Sequence, residues 1–182
     1  MSPGLLASLR RWREPTAIVL AVPEADPLLA AVTAPAQNSA GRAHVTVLYP
    51  FARRWRVRRS FIRELRQLVA NKPHFAVSFA QLAQFEGAEQ VTYLAPEPAS
   101  GLTALTAALV ARWPRWQPYG GRFTEIVPHL SVLSGAPAPP DLRDRIDPWL
   151  PLRVVAAELL LVVPGADGWQ TLACCPLGAS SE

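Results

Sequence analysis

Two short strings in the chain have the same form: a histidine, an apolar residue, a hydroxyl residue and a second apolar residue. They are His44-Val45-Thr46-Val47 and His129-Leu130-Ser131-Val132. On a β-strand, successive side chains alternate between the two faces, so the histidine and the hydroxyl residue share one face and the apolar residues share the other. Each string therefore predicts one imidazole and one hydroxyl on a common surface.

A pair of imidazoles suits the cleavage of a phosphodiester. One group must take a proton from the attacking oxygen and another must give a proton to the departing oxygen, and an imidazole with a pKa of about 6.5 can do either near neutral pH. We therefore predict that His44 and His129 are catalytic, as a general base and a general acid in an order that the sequence leaves open. The hydroxyls of Thr46 and Ser131 are predicted to bind the phosphate, through the non-bridging oxygens where charge accumulates.

Coincidence is the alternative to a paired site, because a single match to so short a pattern arises by chance in many proteins. His74 illustrates this, since Ala76 stands where the hydroxyl residue would be, and we expect no catalytic role for it. Two of the three histidines fall into the same pattern, each on a predicted strand. That repetition favours a paired site.

The apolar patterning predicts short strands alternating with helices. The predicted strands cover residues 16–22, 43–49, 75–85, 91–94, 127–133, 154–163 and 168–175. The predicted helices cover residues 26–33, with Asp26 as the N-cap, 57–71, 98–112 and 139–150. A strand with a histidine, then a helix, then two strands occurs once from His44 and once from His129, which predicts two pseudo-symmetric lobes.

The length of 182 residues and the 50% hydrophobic content indicate one domain with a substantial core. We predict a basic N-terminal leader over residues 1–15, a single bilobal domain over 16–176 and a flexible C-terminal tail over 177–182. The apolar run at 16–22 follows several arginines, as in a secretory signal, but its seven residues are better explained as a strand. No stretch is long enough to span a membrane.

The basic residues indicate a kind of binding partner, and the cysteines indicate a cellular compartment. The net charge is +4, and Lys72 is the only lysine among the 18 basic residues. Guanidinium groups bind phosphate well, which favours a phosphate-bearing partner, although a coding bias toward arginine explains the composition equally well. Cys174 and Cys175 are adjacent, point to opposite faces of a strand and are expected to be reduced, which predicts a cytoplasmic protein.

The two strings and their flanks resemble the 2H phosphoesterase superfamily, which includes the bacterial and archaeal 2′-5′ RNA ligase and cyclic phosphodiesterase-like proteins. The signature of that group is a pair of His-x-Thr/Ser-x motifs. The surrounding sequence is also similar to that group in three segments: AHVTVLYPF at 43–51, Val91-Thr92-Tyr93-Leu94 followed by Pro96, and PHLSVL at 128–133. The resemblance covers about residues 16–176.

This resemblance implies an α+β, bilobal 2H phosphoesterase fold, in which two pseudo-symmetric antiparallel sheets flank a central cleft and the helices lie outside. It also implies a phosphodiesterase that acts on 2′,3′-cyclic phosphate or 2′-5′ linked nucleotide or RNA substrates without a metal, with no cofactor expected. The partner implied is a nucleotide or RNA-end phosphodiester. Neither the direction of the reaction nor the oligomeric state follows from the resemblance.

Tyr119 and Arg122 are further candidates for substrate binding. They lie in a glycine-containing loop before the second motif, where a ring can stack on a base and a guanidinium can pair with phosphate. The alternative is that they only shape a turn. An arginine-rich run at 53–59 is better explained as a solvated surface than as a nucleic-acid contact.

Two competing functions follow from the same residues. A non-catalytic nucleotide- or RNA-binding module would keep the cleft, but it has no need of two imidazoles with matched hydroxyls. A metal hydrolase would use the histidines as ligands, but neither motif has a carboxylate or a second histidine at ligand spacing.

Overall fold

A computed structural model of the protein describes residues 14–32, 42–85, 90–165 and 168–179. Within these residues the strands are β1 (Ala17–Ala21), β2 (His44–Leu48), β3 (Phe75–Phe85), β4 (Val91–Glu97), β5 (Leu130–Ser134), β6 (Leu152–Ala156), β7 (Glu158–Gly165) and β8 (Gly168–Pro176). The α-helices are α1 (Asp26–Val32), α2 (Arg59–Ala70), α3 (Ser100–Arg112) and α4 (Leu142–Ile146). Short 3-10 turns cover Pro23–Ala25, Arg54–Arg56, Pro118–Gly121 and Asp147–Trp149.

The eight strands form one antiparallel sheet in the order β6-β3-β4-β5-β2-β1-β7-β8. The predicted α+β bilobal fold is confirmed, with one refinement. The two predicted sheets are the halves β6-β3-β4-β5 and β2-β1-β7-β8 of a continuous sheet. They join because β2 pairs with β5 at Val45 and Leu130.

One predicted strand, over residues 154–163, is wrong as a single element. It is two strands, β6 and β7, with Ala157 alone between them. β6 pairs with β3 in one half of the sheet, whereas β7 pairs with β1 in the other half. The chain therefore has to turn at Ala157, which an uninterrupted apolar run does not reveal.

Prolines account for two further differences. The strand predicted over 127–133 starts only at Leu130, since Pro128 has no backbone N–H to donate to a ladder. The helix predicted over 139–150 is the short α4 followed by the Asp147–Trp149 turn, in which Pro148 again lacks a donor. Strands β1, β3 and β8 and helices α2 and α3 lie where the patterning predicts.

The sheet buries one face under the helices and leaves a smaller cluster on the other. Along β1, Ile18 and Leu20 belong to the main core, which also contains Leu28 of α1, Leu65 of α2 and Leu105 of α3. The alternate residues Ala17 and Val19 form a second cluster with Val162 of β7, and Tyr49, Leu160 and Trp169 pack against it. The second cluster lies on the side of the sheet opposite to the main core.

The first residues of the predicted C-terminal tail make contacts with the rest of the domain. Leu177, assigned to the tail, is buried, and its N–H donates to the Ala157 carbonyl at 2.9 Å. Gly178 donates to the Lys72 carbonyl at 2.8 Å and accepts from the His74 N–H at 3.1 Å. Residues 1–13 of the predicted leader and 180–182 of the predicted tail lie outside the described residues.

The third histidine has a structural contact in this region, because the Nε2 atom of His74 lies 3.3 Å from the Leu177 carbonyl oxygen. Cys174 is exposed and Cys175 is buried, and both are free thiols, as their alternation on a strand predicts. No helix among the described residues is long and apolar enough to cross a membrane.

The junction of the two half-sheets should be sensitive to the loss of side-chain volume. Leu130 is completely buried, so Leu130→Ala should lower the free energy of unfolding by about 2–5 kcal/mol. Val155 is the control, because it is 63% exposed on the edge strand β6. Val155→Ala should change the free energy of unfolding by no more than about 0.5 kcal/mol. Urea denaturation measures both, and equal effects would show that the junction is not well packed.

Candidate active site

The two motifs meet at the pairing of β2 with β5. His44 is the first residue of β2, and His129 immediately precedes β5. The pairing is antiparallel with Val45 opposite Leu130. Continued by one residue in each direction, this register places His44 opposite Ser131 and Thr46 opposite His129. The two histidines are then diagonal neighbours, whose separation in a sheet is roughly 7–8 Å.

Burial alternates along both motifs as the sequence predicts. Val45, Val47, Leu130 and Val132 are all buried in the main core. His44, Thr46 and His129 are half-buried, and Ser131 is exposed. Both imidazoles and both hydroxyls therefore lie on the face of the sheet opposite to the main core.

Each imidazole is held by the same backbone contact. The Nδ1 atom of His44 lies 2.8 Å from the carbonyl oxygen of Arg42, and Nδ1 of His129 lies 2.8 Å from that of Val127. Since a carbonyl oxygen can only accept, each Nδ1 must carry the proton and donate it. Nε2 is then the nitrogen of each ring that is available to exchange a proton with a ligand.

The backbone next to His44 is fixed by two further hydrogen bonds. Asp26, predicted as a helix N-cap, lies within α1, and its Oδ1 accepts from the Ala43 N–H at 2.7 Å. The Ala43 carbonyl accepts from the Val22 N–H at 2.8 Å. The prediction of Asp26 as an N-cap is therefore wrong, because its carboxylate ties α1 to the residue that precedes the first motif.

Aromatic rings flank both histidines. The ring of Trp169, in β8, lies 6.0 Å from that of His44 in an edge-on arrangement, and Tyr49 lies 6.2 Å from Trp169. His129 has Phe85 at 4.8 Å and Tyr93 at 5.3 Å, measured between ring centroids. These rings remove water from the two imidazoles.

The same surroundings lower the pKa of both histidines. Burial lowers the pKa of His44 below its ordinary value of 6.5, partly offset by the hydrogen bond to Arg42. Burial also lowers the pKa of His129; its hydrogen bond to Val127 acts in the opposite direction, and the charge of His44 lowers it further. The electrostatic effect of one ring on the other is consistent with the closeness that the register implies.

The remaining candidates differ in their surroundings. The Tyr119 N–H donates to the Tyr49 carbonyl at 2.6 Å, and burial raises the pKa of the Tyr119 hydroxyl. Arg122 is exposed, with its guanidinium 5.7 Å from the ring of Phe123. In the part of the chain that the structure describes, neither side chain has a hydrogen bond or a ring contact with either histidine. Tyr119 has a positive φ of 51°, so its backbone shapes the turn.

The arginine-rich run at 53–59 lies at the surface. Arg53, Arg56, Arg58 and Arg59 are exposed. Arg54 is half-buried, and its Nη1 donates to the side-chain oxygen of Gln170, the residue next to Trp169, at 3.3 Å. Most of the run therefore forms a solvated surface, and Arg54 connects it to β8.

Four residues that surround the histidines were not predicted as site residues from the sequence: Arg42, Phe85, Tyr93 and Trp169. Arg42 lines the same groove as His44 and stands two positions before it, which is the only local signal that it carries. The three aromatic residues are far from their histidine along the chain, and only the pairing of strands brings them close. No group of three or more His, Cys, Asp or Glu residues that could hold a metal ion occurs among the described residues.

Comparison with known proteins gives a consistent result. The family model of the 2′-5′ RNA ligase superfamily matches residues 7–168. TT0787 of Thermus thermophilus has a similar structure, with a TM-score of 0.62 and 17% identity over 92% of this chain and 100% of that one. E. coli LigT complexed with 3′-AMP has a TM-score of 0.58 and 18% identity over 90% of this chain and 98% of that one. No curated protein matches the chain significantly.

The electrostatic contact between the rings can be tested by NMR titration of the imidazole protons. Both histidines should titrate below 6.5, and His44→Gln should raise the pKa of His129, because the neighbouring positive charge is removed. In the wild type the two values belong to the coupled pair, so the variant isolates the second ring. An unchanged or lower pKa of His129 in the variant would show that the rings do not sense each other.

Proposed function

Since the chain belongs to the 2′-5′ RNA ligase superfamily, we propose that it is a metal-independent phosphodiesterase that uses His44 and His129 as a general base and acid pair. The superfamily and the similarity to LigT support a 2H phosphoesterase-type function. The substrate class that we propose is a 2′,3′-cyclic phosphate or a 2′-5′ linked nucleotide or RNA. E. coli LigT was solved with 3′-AMP and with NADP+, which supports a nucleotide ligand here.

The observation that carries this proposal is the shared setting of the two imidazoles. Both lie on one face of neighbouring strands, and each has its Nδ1 engaged by the carbonyl two residues earlier. This arrangement leaves the two Nε2 atoms available for one phosphate group, on histidines that are diagonal neighbours roughly 7–8 Å apart. A site that only bound a nucleotide would not require both rings to be held in the same tautomer.

In the proposed reaction, water attacks the phosphorus in line with the departing ribose oxygen. The neutral imidazole takes the proton of the water as the new P–O bond forms. The protonated imidazole gives its proton to the ribose oxygen as the old P–O bond breaks. In the reverse, bond-forming direction each histidine takes the other role, so the assignment of base and acid depends on the direction.

The negative charge that develops on the non-bridging oxygens has to be stabilised by hydrogen-bond donors. The hydroxyls of Thr46 and Ser131 lie on the same face as the imidazoles and are proposed to supply them. Arg42, which lines a groove together with His44, is proposed as a further source of positive charge for the phosphate. These groups belong to this chain, so the scheme requires no metal.

The paired mechanism predicts that His44→Ala and His129→Ala each lower kcat for 2′,3′-cyclic nucleotides or 2′-5′ linked dinucleotides by about 10²–10⁴-fold. The double variant should be little worse than either single one, because the two groups act as a unit. His74→Gln is the matched control, since His74 contacts the backbone of Leu177 instead of the site. Circular dichroism checks the fold of each variant.

The same experiment includes turnover by the wild-type protein in excess EDTA, which should equal its turnover without EDTA. Loss of turnover that a divalent cation restores would indicate a metal hydrolase. A wild-type protein that binds these nucleotides without converting them would indicate a non-catalytic binding module. Near-wild-type turnover in either histidine variant would rule out the paired mechanism.

The pH dependence of kcat/KM should be a bell with its maximum below pH 6.5. Activity requires one neutral and one protonated imidazole, and both pKa values in the free protein are lowered. As pH rises past the higher of the two lowered pKa values, the protonated partner is lost and kcat/KM should fall, so the fall is well under way by pH 6.5; at low pH both rings are protonated and the base is lost. A rate that rises steadily from pH 6 to pH 8 would contradict the proposal.

A further inference from the structure

A groove of about 940 Å³ opens beside one of the two histidines. His44 and Trp169 are among its lining residues, and so are Glu24 and Glu158. Cavities of this size hold small organic ligands. His129 is not part of the lining, so the groove extends from the proposed site on the side of His44.

The floor of the groove is continuous with the face that carries the motifs. In the pairing of β1 with β2, Ala21 is opposite His44 and Val19 is opposite Thr46. Val19 is in turn opposite Leu160 in the pairing of β1 with β7. A ligand whose phosphate lies at His44 can therefore extend across β1 onto β7 over small and apolar side chains.

The register of the strands also gives the scale of the groove floor. Thr46, Val19 and Leu160 are opposite one another across β2, β1 and β7, so two strand spacings, roughly 10 Å, separate Thr46 from Leu160. His44 lies two residues before Thr46 on β2, and Glu158 lies two residues before Leu160 at the start of β7. A nucleoside is about as long as this separation, so a substituent of that size that starts at His44 would extend toward the part of the groove that Glu158 lines.

Among the residues that the structure describes, the charge of the lining is mainly negative, with Glu24, Asp26 and Glu158 against Arg42. Asp26 accepts a hydrogen bond from the Ala43 N–H, and Arg42 stands two residues before His44 in the chain. Glu24 and Glu158 are exposed and line the same groove. A second phosphate placed there would meet two carboxylates and would be repelled.

We propose that this groove, which we call the His44 groove, binds the organic substituent of the phosphodiester. Glu24 and Glu158 then exclude substituents that carry a further phosphate. The inference rests on the proposed function and narrows its substrate class to small phosphodiesters with one uncharged substituent of about nucleoside size. An RNA end is disfavoured, because its next backbone phosphate would enter the groove.

Binding of two reaction-product analogues by calorimetry tests this inference without relying on turnover. Adenosine 3′-phosphate should bind the wild-type protein more tightly than adenosine 3′,5′-bisphosphate, by about tenfold, because the 5′-phosphate enters a negative region. The double variant Glu24→Gln, Glu158→Gln should remove most of that difference. Raising the salt concentration should reduce the difference in the wild type, since exposed charges are screened.

The matched control is Glu97→Gln, which removes an exposed carboxylate outside the groove and should leave the difference between the two ligands unchanged. A steric variant, Ala21→Leu, should weaken adenosine 3′-phosphate by about fivefold more than inorganic phosphate, because the added side chain fills the floor beside His44. Circular dichroism verifies that each variant is folded.

The outcomes separate the two proposals. Equal or tighter binding of the bisphosphate by the wild type would overturn the His44 groove as a site for an uncharged substituent, and so would a difference that persists in the double glutamine variant. These results do not depend on hydrolysis. Failure of the proposed function would instead appear as a wild-type protein that leaves every cyclic phosphate intact.

Discussion

The antiparallel pairing of β2 with β5 is the constraint on which the site depends. Each strand alternates a polar and an apolar face, and only a register that aligns these faces buries Val45 with Leu130. The same register necessarily places both imidazoles and both hydroxyls together on the other side. A slip of one residue would bury the histidine of one strand and expose its apolar residues. The apolar packing that stabilises the junction therefore also determines the geometry of the proposed catalytic groups.

The aromatic rings around the histidines affect how readily the two imidazoles are protonated. Trp169 on one side and Phe85 with Tyr93 on the other withdraw the imidazoles from water, which lowers both pKa values. A bound phosphate carries negative charge and favours the protonated ring. Ligand binding and proton uptake should therefore be coupled, because the lowered pKa values favour the neutral form of both rings in the free protein. A lowered pKa also makes the protonated ring a better donor once the ligand is in place.

The local features of this chain could be predicted from its sequence, and the long-range ones could not. The two motifs, their alternation and most helices follow from residue type and spacing, because these depend on neighbours within a few positions. The break at Ala157 could not be found, because an apolar run looks the same whether or not its two parts pair with different strands. Trp169 was missed for a related reason, since it lies far from His44 along the chain and only the β1-β7-β8 ladder brings it near. The glutamates of the His44 groove have no local signature at all.

The order of the strands restricts how the chain can be divided. The half-sheet that contains His44 takes β1 and β2 from the early part of the chain and β7 and β8 from the end, while the other half takes β3 and β4 from before His129. A polypeptide cut between the two motifs would give two fragments whose strands interleave, neither holding a complete half. Such fragments would have to associate to assemble the sheet. In this strand order, neither repeat seen in the sequence contains all the strands of one half-sheet.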